Sequence, residues 1–490
     1  MYDSFAADFW ATFPISLVCL VGLVVVVVDC FWNDSPWLPV ISAAGVTLAL
    51  VIESSRLGYS GLAFSELLRY GGLAAFMNMV VLLSAALSIV LSVPYLTRAR
   101  HNFGEVYALI CFATAGMMFL VSSNNLISIF IGLETMSICL YALTGLVRED
   151  KGATEGALKY FLLGAFSTGF FLYGIALIYG ATGSMYLPQI AASVSIGTPP
   201  VIFWAGTALL LVGFLFKVSA VPFHMWTPDV YQAAPTTLTG YMATASKAAA
   251  FTGIVIVGWY ALPSAGATWQ LTLAIVALVT MVVGNVIAVS QNNVKRMLAY
   301  SSIAHAGYML VGLAAASPAG YSGVLYYLLV YTLMNIGAFG VMAVFEWDDH
   351  QGREQTLESL AGVGLKRPVL GVSMAFFMFS LAGFPPLAGF IGKVRVFAPA
   401  IDAGMTWLVV VGVLTSAVSA YYYLRVLYYF FMKSPEAGVD PAIQKLPVTL
   451  ASIVVLIICA ASQLWFGLLP SGILRLTDGF FGAASMGLLP

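Results

Sequence analysis

The sequence predicts an all-α polytopic membrane protein of about 14 transmembrane helices, with two inverted five-helix repeats that each contain one broken helix. Three observations lead there. First, 61% of the 490 residues are hydrophobic and only 8% charged, against about 25% charged in an ordinary soluble domain. Mean hydropathy is +0.96. So few charges cannot cover a globule in water, and the solvent must be lipid. Second, apolar stretches of the ~20 residues that a span requires recur along the whole chain. Third, two of these stretches are interrupted by proline-containing sequence at bilayer depth.

The apolar segments fall near 13–32, 36–53, 72–92, 105–122, 124–147, 158–180, 201–222, 236–260, 269–290, 299–316, 321–346, 370–391, 406–431 and 448–470. No basic region precedes the first of them, so it is expected to remain as a spanning helix rather than a cleaved signal. With the N-terminus outside, the odd-numbered loops hold Arg98, Arg100, Arg148, Lys151, Lys295, Arg296, Arg353, Lys366, Arg367, Lys433 and Lys445. The even loops and the termini hold Arg56, Arg69, Arg395 and Arg475. This is the positive-inside asymmetry, and it predicts an even number of spans with both termini outside.

The interruptions are Lys217-Val-Ser-Ala-Val-Pro222-Phe-His224 and Gly383-Phe-Pro385-Pro386-Leu-Ala-Gly389. Proline removes a backbone donor and clashes with the preceding turn, so each helix should break there. Paired breaks in corresponding positions point to an inverted repeat with its site near the midplane. Lys217 and Lys393 are 176 residues apart, and Glu134 and His305 are 171 apart. The expected organisation is a three-helix segment at 1–104, repeats at 105–262 and 263–433, and a C-terminal helix at 434–490.

The remaining basic residues, Lys159, Lys217, Lys247, Lys393 and Arg425, sit in or at the ends of apolar segments. Glu134 is likewise flanked by apolar residues for more than a turn on both sides. An unpaired ion there is costly, so each must be neutral, paired or facing water. Burial disfavours a charged form, and an opposite charge alongside restores it. A Glu–Lys pair that can separate is therefore a proton switch. A structural ion pair fixing helix register accounts for one such residue. It accounts poorly for Glu134, Lys217, Lys247, His305 and Lys393 together. Lys159 follows Glu155 by four residues, so a solvated i,i+4 pair explains it as well as a path role does. His224 beside Pro222 reads equally as structural or as a relay. Arg425, after three tyrosines, reads as a snorkelling anchor, and Asp229 as a loop or capping residue.

Composition excludes other classes. The formal net charge is −1, which gives no sign of a nucleic-acid partner. Cys19, Cys30, Cys111, Cys139 and Cys459 lie in or at the edges of apolar runs without a C-x-x-C pair, so no metal site or disulfide framework is expected. There is no phosphate-binding or dinucleotide-binding motif. The chain is expected to carry no cofactor of its own.

Three stretches carry a resemblance. Lys217-Val-Ser-Ala-Val-Pro-Phe-His-Met-Trp-Thr-Pro-Asp229, Gln291-Asn-Asn-Val-Lys-Arg-Met-Leu-Ala-Tyr-Ser-Ser-Ile-Ala-His305 and Gly383-Phe-Pro-Pro-Leu-Ala-Gly-Phe-Ile-Gly-Lys393 resemble the antiporter-like subunits of respiratory complex I. The stretches at 155–167 and 179–184 look most like its subunit-N branch. The likeness covers residues ~105–431; the flanking helices match mainly in number and hydropathy. It implies that Glu134 couples to Lys217 of a broken seventh helix, and that Lys247 is a central relay. His305 would connect Lys247 to Lys393, the exit-side lysine of a broken twelfth helix. It further implies other membrane-arm subunits as partners, with FMN, iron–sulfur clusters and quinone held in partner subunits. Quinone reduction next door would change the Glu134–Lys217 separation and send a proton through Lys247 to Lys393. The implied location is a bacterial inner membrane, or alternatively an organellar inner membrane. A subunit of a multi-subunit sodium/proton antiporter, a membrane subunit of a proton-pumping hydrogenase and a structural scaffold are the alternatives.

Overall fold

A computed structural model describes residues 2–32, 35–99, 101–195, 199–263, 266–346, 355–434 and 448–482. The helices run α1 Tyr2–Ala11, α2 Phe13–Phe31 and α3 Trp37–Ser54, then a hairpin of β1 Ser60–Ala63 and β2 Leu68–Gly71. There follow α4 Gly72–Arg98, α5 Gly104–Val121, α6 Leu126–Thr144, α7 Lys151–Thr182, α8 Leu187–Ser195, α9 Val201–Lys217 and α10 Trp226–Ala233. A continuous span is built from α11 Thr236–Tyr241, a π-helical turn Met242–Ser246 and α12 Lys247–Tyr260. The chain continues through α13 Gly266–Val289, α14 Val294–Ala314, α15 Pro318–Phe345, α16 Val363–Lys366, α17 Pro368–Ala382 and α18 Ala388–Asp402. It ends with α19 Thr406–Phe431, α20 Leu450–Leu468 and α21 Ser471–Gly479.

Twelve of these helices, with α11–α12 as one, are long and apolar enough to cross a bilayer unbroken. The other two expected spans are the interrupted ones. α9 stops at Lys217, Ser219 turns to a φ of 64°, and α10 resumes at Trp226. α17 stops at Gly383, whose φ of +87° suits glycine, and α18 resumes at Ala388. The fourteen apolar segments therefore each have a counterpart, and the breaks fall where the prolines are.

Helix starts differ most from the hydropathy reading. α7 begins at Lys151 rather than 158, with the Asp150 carboxylate accepting from Gly152 N at 2.7 Å. α14 begins at Val294 rather than 299, with the Asn293 side chain accepting from Arg296 N at 3.0 Å. Both first turns are polar, so a hydropathy window misses them while a capping side chain fixes them. Arg425 does more than anchor the helix near an aromatic belt. Its guanidinium donates to Val289 O at 3.2 Å and Asn292 Oδ1 at 2.5 Å, closing the end of α13. Arg98 and Lys295, expected in loops, are also tied inward: Arg98 donates to Ala343 O at 2.9 Å and Lys295 is buried. Arg100, Arg353 and Lys445 lie outside the described residues.

The bundle centres on α12, α14 and α15, which are buried along nearly their whole lengths. α2, α3, α7, α13, α19 and α20 keep outward faces of large apolar side chains. Lipid is as apolar as leucine, so these helices associate by close backbone packing rather than by hydrophobic drive. At the α5–α6 crossing a Cβ on Gly132 would lie 2.6 Å from Leu120 N and 2.7 Å from Gly116 O. The α13–α14 crossing repeats this, with Gly284 facing Ala304 N at 2.7 Å. Gly132→Ala should destabilise the protein by about 1–3 kcal/mol, as overpacking does. Gly180→Ala, with open space around it, should be neutral or stabilising by up to about 1 kcal/mol. Thermal unfolding of the two purified variants measures both.

Candidate functional site

The expected ionisable residues separate into two groups. Lys217, Lys247, His305 and Lys393 are all buried, at 6% exposure or less. Glu134, His224 and Lys159 lie closer to the surface. Among the described residues, none of Lys217, Lys247 and Lys393 is in an ion pair.

Lys217 is the last residue of α9, at the negative end of that helix dipole, which favours a cation. Its Nζ donates to Tyr141 OH at 3.1 Å and lies 5.1 Å and 5.5 Å from the Tyr141 and Tyr160 ring centres. Glu134 instead accepts from Thr168 Oγ1 at 2.7 Å. It stands seven residues, ~10 Å of helix rise, from Tyr141 on the same face of α6. The expected Glu134–Lys217 pair is not formed: Glu134 is bonded to Thr168 and Lys217 to Tyr141.

Lys247 directly follows the π-helical turn Met242–Ser246, an irregularity frequent at functional sites. Its Nζ donates to the Ser302 carbonyl at 2.8 Å and to the Ser302 hydroxyl. Ser302 is on α14, and so is His305, one turn further along. His305 Nδ1 meets Tyr327 OH at 2.8 Å and Nε2 meets Tyr423 OH at 3.1 Å. A tyrosine hydroxyl can donate or accept, so either imidazole tautomer fits. The next turn of α14 brings Tyr308, whose ring centre is 5.0 Å from Lys393 Nζ. Lys393 donates to the Ala382 carbonyl at 2.8 Å and to Ser416 Oγ at 2.7 Å. Ala382 ends α17, so the break supplies an unused helix carbonyl to the amine.

Thus α14 brings Lys247, His305 and Lys393 to one stripe through Ser302, His305 and Tyr308. Sequence reading identified the charged members but missed Tyr141, Ser302, Tyr308, Tyr327, Ser416 and Tyr423. The signal for the α14 members was legible: polar residues at 301/302, 305 and 308 have helical spacing inside an apolar segment. In the stretch of chain from Lys217 to Lys247 the hydroxyls of Ser219, Thr227 and Tyr231 are buried with no hydrogen-bond partner of good geometry. Tyr331 OH is in the same condition, and both tyrosines flank Ser302. Such groups in a protein interior are ordinarily satisfied by water.

His224 lies half-buried in the first break with Nδ1 unpartnered, away from the α14 stripe. Lys159 pairs with Glu155 at 2.7 Å, as its spacing suggests, and also with Asp229 at 3.0 Å. Asp229 is more than a capping residue, because it also binds Arg296 at 2.7 Å and so ties α7, α10 and α14 together.

A second cluster was not expected. Lys295 pairs with Glu346 at 3.0 Å and donates to Ala234 O at 2.9 Å, while Glu346 accepts from Thr236 N at 3.3 Å. Glu346 follows α15. Burial raises its pKa, but the Lys295 charge and hydrogen bonds from Thr236, Tyr95 and Lys295 outweigh this and hold the carboxyl below its usual range. A carboxyl depressed on folding contributes stability above its unfolded pKa and loses it as pH falls through the folded one. Glu346→Gln should therefore cost about 1–3 kcal/mol at pH 7. Melting curves of parent and variant should converge as pH drops below the ordinary glutamate value of 4.5.

This architecture, with two broken helices and buried amines in a membrane bundle, is that of an antiporter-like subunit. The family described as NADH:quinone oxidoreductase/Mrp antiporter, TM, matches residues 123–419. NADH-quinone oxidoreductase subunit N of Salinibacter ruber is 58% identical, over 100% of this chain and 99% of that protein. The chain belongs to the subunit-N family of NADH-quinone oxidoreductase. Among solved structures, a chain of respiratory complex I from Thermus thermophilus matches with a TM-score of 0.82 at 34% identity, covering 95% of this chain and 99% of that one. A chain of the Mrp complex from Dietzia matches with a TM-score of 0.86 over 98% of both chains. At 20% identity that likeness is one of fold alone.

Proposed function

We propose that the chain is a proton-translocating subunit in the membrane arm of NADH:quinone oxidoreductase, and that Glu134, Lys217, Lys247, His305 and Lys393 carry its protons. The observation that carries this reading is the α14 stripe: Ser302, His305 and Tyr308 stand on successive turns, with Lys247 bonded to Ser302, the His305 and Tyr308 rings in edge contact, and Lys393 over the Tyr308 ring. Three buried amines without carboxylate partners are costly as scaffolding. They are suited to exchanging a proton, because each is held by neutral oxygens that serve a neutral amine as well as an ammonium ion.

Glu134 acts as the trigger. When it approaches Lys217 it favours the ammonium form; when it lies at Thr168, Lys217 gives up its proton towards Lys247. The coupled groups titrate as a set. His224 and Lys159 stand off this line, and Lys159 with Asp229 serves the bundle's edge.

Residues 105–262 and 263–433 form two inverted repeats in this reading, with α5 and α6 corresponding to α13 and α14, and the α9–α10 break to the α17–α18 break. The recurring glycine-mediated crossings and breaks support it. Both termini lie on the periplasmic side of a bacterial inner membrane, supported by the arginine and lysine distribution and by the bacterial relative. Electron transfer belongs to partner subunits that hold the FMN, iron–sulfur clusters and quinone. The 58% identity to an oxidoreductase subunit favours this over a sodium/proton antiporter. Lys247→Ala and Glu134→Ala should each assemble into the complex yet abolish proton pumping coupled to NADH oxidation, measured in reconstituted vesicles. Full pumping by both variants would refute the proposal.

A further inference from the structure

The α3–α4 face carries a feature that proton transfer does not use. A cavity of about 890 Å3 opens between α3, α4 and the start of α20. Its wall runs from Pro36 to Thr47 on the α3 side and from Ile89 to Arg98 on α4. The two helices are antiparallel, so the first turns of α3 and the last turns of α4 meet at one end of the bundle. At 1.5 Å per residue the groove is ~15 Å deep, half of the ~30 Å hydrocarbon thickness. It is one leaflet deep. Small side chains such as Ala43 and Ala44 create the hollow, and Val40, Val90 and Val93 make it apolar.

The head of the groove is different. Arg98 is the one charged residue among its described lining, with Thr97 and Thr449 beside it. A guanidinium has five N–H donors, and Arg98 gives one of them to Ala343 O at 2.9 Å. Glu346 acts on Arg98 from nearby, but it is already engaged by Lys295 and Thr236.

We propose that this groove is a binding site for an anionic glycerophospholipid of the leaflet on the Arg98 side. An acyl chain lies along α3 and α4, and the phosphate sits on the Arg98 guanidinium with the Thr97 and Thr449 hydroxyls. The planar guanidinium fork matches a phosphate bidentately. Arg98 also ends α4, at the level where headgroup phosphates lie. A neutral quinone or an apolar helix from another subunit would fill the hollow but bring no anion to the remaining Arg98 donors. The occupant would hold the N-terminal three-helix segment to α20, across a gap that protein side chains leave open.

The test uses the intact purified complex, washed in mild detergent, with retained phospholipids quantified by mass spectrometry against protein. The parent complex should keep about one anionic phospholipid more than a complex carrying Arg98→Gln, which removes the phosphate partner. Ala44→Phe, which fills the hollow without touching Arg98, should lose the same equivalent, and this variant decides the matter if Arg98→Gln fails to assemble. A cryo-EM map of the parent complex should show a forked acyl density with its phosphate on Arg98. Equal retention in parent and Ala44→Phe overturns the proposal. So does retention of a neutral lipid there, or a protein helix occupying the groove. None of these readouts depends on proton pumping.

Discussion

Everything in this fold answers to the placement of three lysine amines in a lipid-embedded bundle with no carboxylate among the described residues to pair with them. An ammonium ion in such surroundings loses its hydration and gains no Coulomb partner. What the protein supplies instead is irregular backbone. Lys217 ends α9 and Lys393 binds the last carbonyl of α17, so both breaks present the negative ends of half-helices to a cation. Lys247 leaves the bundle's central span just after a π-helical turn and reaches a carbonyl of α14. Each lysine thus sits at a defect in a helix. Non-helical backbone at membrane depth survives only where it is enclosed by protein, and these defects lie under the buried α14 and α15 or beside them.

The N-terminal helices are part of that enclosure. Ser84 and Ser92 of α4 bond Thr244 and Thr237 at 2.7 Å and 2.9 Å, so α4 braces the π-helical turn that precedes Lys247. At the other end α21 returns to α15, where the Asp478 carboxylate accepts from Ser322 at 2.5 Å. These polar contacts fix the buried helices from both flanks, where lipid offers no hydrophobic drive.

Much of this was legible in the sequence. Hydropathy located the twelve helices that can cross a bilayer unbroken, because a bilayer filters for length and apolarity. Proline located both breaks because its missing N–H acts locally. The buried charges announced themselves because lipid makes every intramembrane charge conspicuous. What was not legible depended on tertiary placement. Tyr141, Tyr327 and Tyr423 are ordinary aromatic residues until the fold brings their hydroxyls to Lys217 and His305. Lys295 reads as a loop charge and Glu346 closes an apolar segment without drawing notice, and only packing shows them to be a bonded pair. The separation of Glu134 from Lys217 could not be read either, since it is set by which side chains of α6 and α7 face each other.

If Lys247, His305 and Lys393 form one serial path, interrupting it twice costs no more than interrupting it once. The deciding measurement is the number of protons translocated per NADH oxidised, in vesicles containing complexes with His305→Phe, Tyr308→Phe or both, substitutions that weaken the line while leaving all three lysines in place. The double variant should match the more severe single variant. Losses that accumulate in the double variant would mean separate routes and would contradict the account.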